Sequence, residues 1–188
     1  MRPGAGLHLV ARRCFIARTM GSDGDRLAVT LREVLPGDLP TFFRNQRDPL
    51  ANELAAFPAR SWEDFLLHRR QVLLGNSTTI ESTVLAPDGA VAGHVLSWQQ
   101  EGARFIGYWL GREHWGKGIA TAALRVFLRL DVHRPLFAHV ALHNPASRRV
   151  LEKCGLRRIG GPTLAPDGVE EYLYRLDASD GLMEADRG

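Results

Sequence analysis

The stretch that most constrains this chain is Gly107 to Thr121, which reads G-Y-W-L-G-R-E-H-W-G-K-G-I-A-T. An apolar, strand-like run enters a glycine loop, and the loop opens directly into an amphipathic run from Gly118 to Leu130. Gly116 and Gly118 let the backbone turn sharply and approach a ligand closely. The first amides of a helix lack intrahelical partners and sit at the positive end of its dipole. The loop is therefore a ready site for an anion, best a phosphate or pyrophosphate. Gly111 to Lys117 also reads G-x-x-x-x-G-K, one residue short of a nucleoside-triphosphate P-loop. That loop needs Ser or Thr next, to hold magnesium, and Gly118 stands there instead. A glycine-rich turn without a ligand is the plainer alternative.

The rest of the chain supplies a sheet for this loop. Leu27, Val29 and Leu31 alternate with polar or small residues as a half-buried strand does. Asp38 follows Pro36-Gly37 and can cap a helix carrying Leu39, Phe42 and Phe43. Residues 50–60 are ambiguous. Ser61 begins a helix with Trp62, Phe65, Leu66 and Arg69 on one stripe, Arg69 snorkelling to solvent. Thr79 to Ala86, Ala90 to Trp98 and Ala103 to Leu110 read as three antiparallel strands joined by Pro87-Asp88-Gly89 and Glu101-Gly102. Leu136 to Leu142 reads as a buried strand, parallel to its predecessor after the crossover helix. Asn144-Pro145 then gives a cap followed by proline at the first helical position, Gly155 fits the stop, and Glu170 to Leu176 is a last strand.

The Trp115-Gly116-Lys117-Gly118 loop and the Asn144-x-x-Ser147-x-x-Val150-Leu151-Glu152-Lys153-x-Gly155 segment together resemble the GNAT superfamily of acetyl-CoA-dependent N-acetyltransferases. The branch they resemble contains the ribosomal-protein alanine and serine N-acetyltransferases. The resemblance spans roughly Leu27 to Leu176. It implies an α/β (α+β) fold: a mixed, mostly antiparallel, twisted sheet of about seven strands with helices on both faces and a splayed central strand pair. It implies acetyl-CoA as co-substrate, in the gap between strands 103–110 and 136–142. The implied contacts are Trp109, Leu110 and Gly111 for the pantetheine arm, and Trp115, Gly116, Lys117, Gly118, Ile119, Ala120 and Thr121 for the pyrophosphate. Asn144, Ser147, Arg149 and Lys153 are the implied contacts from the second helix. Many superfamily members carry a tyrosine proton donor in that helix, but Leu151 occupies the matching position here. The branch places a serine one turn earlier, which makes Ser147 the expected donor to the departing thiolate, with Asn144 beside it. Relatives often carry Glu before the Ile-Gly-Tyr of the cofactor strand, and here Phe105 stands in its place. His94 and Tyr108 are the substitutes the sequence offers as general base.

The remaining expectations come from composition. A chain of 188 residues, 45% hydrophobic, fits one domain spanning residues 27–177. The segments 1–26 and 178–188 read as tails. Residues 1–20 carry Arg2, Arg12, Arg13 and Arg18 and no acid, so the basic balance comes from them. In the remainder 20 basic residues face 21 acidic ones, which argues against electrostatic nucleic-acid binding. The leading segment reads as a transit peptide or as a false start ahead of Met20. No apolar run is long enough for a membrane span. Cys14 and Cys154 give no disulfide framework and suit a reducing, cytoplasmic compartment. The seven histidines lack metal-ligand spacing, so no metal is expected. The expected activity is acetyl transfer to a primary amine, most naturally a protein or peptide N-terminus. A small-molecule amine (aminoglycoside, polyamine or amino acid) and a weakly catalytic CoA-binding regulatory module are the alternatives. A second copy of the chain is a candidate partner.

Overall fold

The computed structural model describes residues 17–18, 28–74, 78–166 and 168–178, and strand pairing organises all of them around one sheet. The strands are β1 (Ala17–Arg18), β2 (Thr30–Arg32), β3 (Ile80–Leu85), β4 (Val91–Gln100), β5 (Ala103–Leu110), β6 (Leu136–Ala141), β7 (Arg157–Leu164) and β8 (Glu170–Leu176). Their spatial order is β1-β2-β3-β4-β5-β6-β8-β7. Every neighbouring pair is antiparallel except β5 and β6. This is the mixed, mostly antiparallel sheet that the sequence implies. The expectations for residues 1–26 and 178–188, and for Cys14, fall outside the described residues apart from β1 and Ala178.

Helices α1 (Leu39–Asn45), α2 (Pro49–Ala55) and α3 (Trp62–Leu74) cover one face, and α4 (Ile119–Leu130) and α5 (Pro145–Lys153) the other. Ile119, Ala122, Ala123, Val126 and Phe127 of α4 pack on Leu31, Val84, Val95, Ile106 and Leu136, forming the main core. The run of alanines brings this helix close to the sheet, which sets its first turn beside the end of β5. Among the described residues no helix is long and apolar enough to cross a membrane.

Two local features shape the centre of the sheet. At Gly93 a Cβ would lie 1.9 Å from the Trp109 carbonyl oxygen, so only glycine lets β4 and β5 approach there. The β3–β4 register also slips between Val84 and Leu85, next to it. The second feature is a buried polar anchor. Arg104 Nε donates to Asp131 at 2.7 Å, Arg104 also donates to Ser97, and Ser97 donates to the same carboxylate. Burial pushes the Asp131 carboxyl up, but the bonds from Ser97, Arg104 and His133 outweigh it and hold the pKa below the ordinary carboxylate value. The anchor ties the C-terminal end of α4 to β4 and to the start of β5.

Two sequence expectations change, and strand β7 was not foreseen. Asp38 stands at the N-cap of α1, but its side chain makes no cap bond there and instead accepts from Arg32, Thr83 and the Leu35 amide. Arg69 does not snorkel; it is buried, bonded to Glu81 Oε2 at 2.7 Å, with its guanidinium over Phe42 and Phe65. Strand β7 carries no sequence signal at all. All of its residues are exposed and it contains Gly160-Gly161-Pro162, so it has neither alternation nor an apolar run. It forms because β8 offers an edge to pair with.

Replacing Asp131 by Asn leaves the Arg104 guanidinium buried without its counter-charge. Urea denaturation of Asp131→Asn is expected to show a loss of about 3 kcal/mol or more; a loss below about 1 kcal/mol means that the anchor is dispensable.

Candidate active site

The site begins where β5 and β6 part. The two strands pair only at Arg104↔Leu136 and Phe105↔Phe137, and beyond those positions they separate. Along the separation runs a cavity of about 890 Å³, reaching both faces of the sheet. It is lined on the α4 side by Tyr108, Leu110, Ala138, Val140 and the start of α4, and on the other side by residues of α2 and α3 with Gln46, His94, Trp98 and Trp109.

The glycine loop closes the α4 side. Trp115 Nε1 donates to the Leu110 carbonyl at 3.0 Å, folding the loop back on the strand end. Gly116 and Gly118 take φ of 69° and 79°, the left-handed region that glycine adopts without strain. From Gly118 the chain enters α4, whose Ala122 amide bonds to the Gly118 carbonyl at 3.0 Å. The amides of Ile119, Ala120 and Thr121 precede that bond and have no partner within the helix. With the helix dipole behind them they could hold an anion, and all three residues line the cavity.

Of the residues expected to hold the donor, Trp109, Leu110, Trp115, Gly116, Gly118, Ile119, Ala120, Thr121, Asn144, Ser147, Arg149 and Lys153 all line this one cavity. Lys117 is exposed and lies off the lining, and Gly111 is buried behind the loop. The residues present fit a long, diphosphate-bearing ligand: an apolar slot between strands, free amides at one end and the basic Arg149 and Lys153 beside them.

At the inner end of the slot Ser147 Oγ lies 2.8 Å from Tyr108 Oη. Asn144 Oδ1 accepts the Ser147 amide at 3.0 Å, so Asn144 caps α5 and presents Ser147 in its first turn. Burial pushes the Tyr108 pKa up to about 12, against the opposing effect of its bond to Ser147. The phenol therefore keeps its proton at any working pH. Leu151 is a core residue.

The opposite end of the cavity has different chemistry. Leu54, Ala55, Phe57, Leu96 and Trp98 line it together with Gln46, His68, Gln71 and His94. His94 is buried against Phe42, ring centroids 4.6 Å apart, and its Nδ1 has no hydrogen-bond partner. Burial first, then the charge of Arg69, push its pKa down to about 3, so the ring stays neutral. His68 is also pushed down by burial, with Arg60 and Arg69 adding to the effect. Sequence reading missed Gln46, His68 and Gln71, and it missed His139 with Glu171, which also line the cavity. Isolated polar residues on amphipathic elements carry no spacing signal, and only the fold gathers them.

Comparison with known proteins agrees with this geometry. The acetyltransferase (GNAT) domain family matches residues 28–157. The probable N-acetyltransferase YjcK of Bacillus subtilis (strain 168) is 46% identical over 61 residues, 30% of this chain; the match spans about a third of that relative's length, 33%. Spermidine N-acetyltransferase of Vibrio cholerae, solved with CoA and spermine, superposes with a TM-score of 0.70 at 18% identity, covering 82% of this chain and 98% of that one. Mycobacterium smegmatis RimJ, solved with CoA-disulfide, superposes with a TM-score of 0.61 at 24% identity, covering 81% and 83%. At these identities the two structures show a shared fold.

The neutral His94 has a thermodynamic signature. Its folded pKa lies below the ordinary histidine value, so in acid the unfolded chain binds a proton that the folded chain refuses. Its contribution is absent above pH 7 and becomes increasingly destabilising as pH falls from about 6.5 toward 3. At pH 5 the penalty is roughly 2 kcal/mol. Denaturation of wild type and His94→Gln at pH 7 and pH 5 is expected to show a shallower acid loss in the variant; parallel losses refute a neutral buried His94.

Proposed function

The chain belongs to the GNAT acetyltransferase family, and from that membership we propose that it moves an acetyl group from acetyl-CoA to one primary amine, the N-terminus of a protein or peptide. The observation that carries the donor half is the parting of β5 and β6 directly beside the free amides of α4. Acetyl-CoA supplies an activated acetyl thioester to the gap. The amides of Ile119 to Thr121 hold the diphosphate, and Trp109 and Leu110 line the slot for the arm. Ser147, steadied by Tyr108, donates a hydrogen bond to the sulfur as negative charge develops on it. A preset donor in a water-poor slot is worth far more there than in solution.

The acceptor half rests on the charge of the far end of the cavity. Its lining is largely apolar, with Glu171 as the one carboxylate among its described residues. The charges of Arg60 and of the Glu81-paired Arg69 still push the His68 pKa down, as Arg69 does that of His94. Such a field disfavours a polycation, whose every further ammonium meets like charge. It favours an acceptor with one amine on a mostly uncharged body. It also favours the neutral form of that amine, which is the nucleophile. The spermine-bound relative from Vibrio cholerae makes polyamines the natural comparison in a test.

Thiol release from acetyl-CoA, measured with short peptides bearing Ala or Ser N-termini, with spermine and with an aminoglycoside, is expected to depend on the peptides. Preference for spermine or the aminoglycoside contradicts the acceptor half. Ser147→Ala is expected to lower kcat by about 10- to 100-fold while acetyl-CoA affinity stays within about twofold. Tyr108→Phe is expected to act in the same direction. An unchanged kcat in Ser147→Ala removes the serine from the chemistry.

A further inference from the structure

The reading above leaves the amine's proton without an acceptor. His94 is a poor one: it is buried against Phe42, and burial with the charge of Arg69 disfavours its protonated form. Phe105 is the last residue of β5 paired with β6. Its ring leads to another group: His139 of β6 stacks on Phe105, centroids 5.3 Å apart and planes 17° apart. Trp98 stacks on the other side of Phe105 at 6.1 Å.

The register places His139 at the mouth of the gap. Phe105 and Phe137 are the last paired residues of the parallel strands. Two residues on from each, and therefore on the same face, come Gly107 and His139. They are the first positions on this face past the point of separation, and both line the cavity. Gly107 puts no side chain between them, and the nearest atoms to a Cβ there belong to the Trp98 ring at 3.4 Å. Glu171 of β8 completes the arrangement, with Oε2 3.2 Å from His139 Nδ1. A carboxylate at Nδ1 fixes the ring's orientation and tautomer and leaves Nε2 on the opposite edge, free to take a proton.

We propose that His139, oriented by Glu171, is the general base for the acceptor amine, a role that rests on the acetyl-transfer reading above. The amine nitrogen forms a bond to the acetyl carbon and the carbon–sulfur bond breaks. The amine's proton passes to His139 Nε2 and from there to bulk water. CoA leaves as the thiolate, hydrogen-bonded by Ser147. Base and thiolate donor thus sit on opposite faces of the sheet, separated by the parted strands through which the acetyl group is presented. Glu171 is a positioning residue, since it acts through the imidazole.

Other ionisable groups share this surroundings. On the same face of β8 and β7 lie Arg175, paired with Asp177, and Arg157. The packed α2 carries Glu53, whose carbonyl is bonded to His143. Glu171 is the one of these that lines the cavity with His139.

The test is the pH profile of kcat/KM with the best amine of the panel, for wild type, His139→Gln, His139→Ala, Glu171→Gln and His94→Gln. The inference predicts a fall of about 100-fold in His139→Gln near neutral pH, with an acidic limb that keeps only the acceptor amine's own ionisation and unchanged acetyl-CoA affinity. Added imidazole should restore part of the His139→Ala rate. Glu171→Gln should lower the rate less than His139→Gln does, because the imidazole loses its orienting partner at Nδ1 but keeps its own basic nitrogen. His139 is half-exposed on the sheet face, so thermal midpoints within a few degrees of wild type are expected. A His139→Gln enzyme with the wild-type limb and a rate within twofold overturns the inference and leaves the transferase reading standing, as does loss of the limb in His94→Gln alone. Absence of amine-dependent turnover in wild type overturns both.

Discussion

The architecture depends on one parallel strand pair that is pinned at its base and open at its tip. Arg104 and Asp131 fasten the start of β5 to the end of α4, and the β5–β6 ladder survives for only the two pairs above that anchor. The sheet then has no way to satisfy the two strand edges from within. The freed backbone and the apolar walls make a slot that passes from one face to the other. The same helix that the anchor holds also delivers its first turn to the top of the slot. Its alanine-rich face makes that close approach feasible.

The slot divides the chemistry by face. On the α4 side the groups are donors: free amides, Ser147, and a Tyr108 phenol that burial keeps protonated. On the α1–α3 side His94 and His68 lie near the charges of Arg69 and Arg60, and the Glu171 carboxylate lines the same face with His139. The donor side suits developing negative charge on sulfur and diphosphate oxygens. The other side suits an uncharged amine and a proton acceptor. Buried Arg69 is central to this contrast. It is held by Glu81, whose own carboxyl burial pushes up more than the guanidinium brings down.

The lining of the cavity on the α4 side was legible in the sequence because it is built from local signals. The turn at Gly116-Lys117-Gly118, the cap at Asn144 and the apolar strands around them are contiguous motifs, and α4, α5, β3, β4, β5 and β6 fall close to where periodicity puts them. The lining on the α1–α3 side was largely not legible. His139 and Glu171 lie far apart in sequence and meet only because β8 inserts beside β6. Tyr108 was readable as a base, yet its side chain turns toward α5 and pairs with Ser147. Arg69 resembled a surface arginine at the edge of an amphipathic stripe, since no spacing rule announces a counter-charge on a distant strand. Strand β7 escaped because a wholly exposed edge strand has no burial pattern to imprint on its sequence.

The central claim is that the parted strands and the first turn of α4 form one site for a diphosphate-bearing thioester donor. Calorimetric titration of the full chain with CoA and with pantetheine, which has the arm but no diphosphate, tests it most directly. The account predicts saturable CoA binding, with pantetheine weaker by about 100-fold or more, because the amides of Ile119 to Thr121 lose their anion. Equal affinity for the two ligands, or no CoA binding, would contradict it.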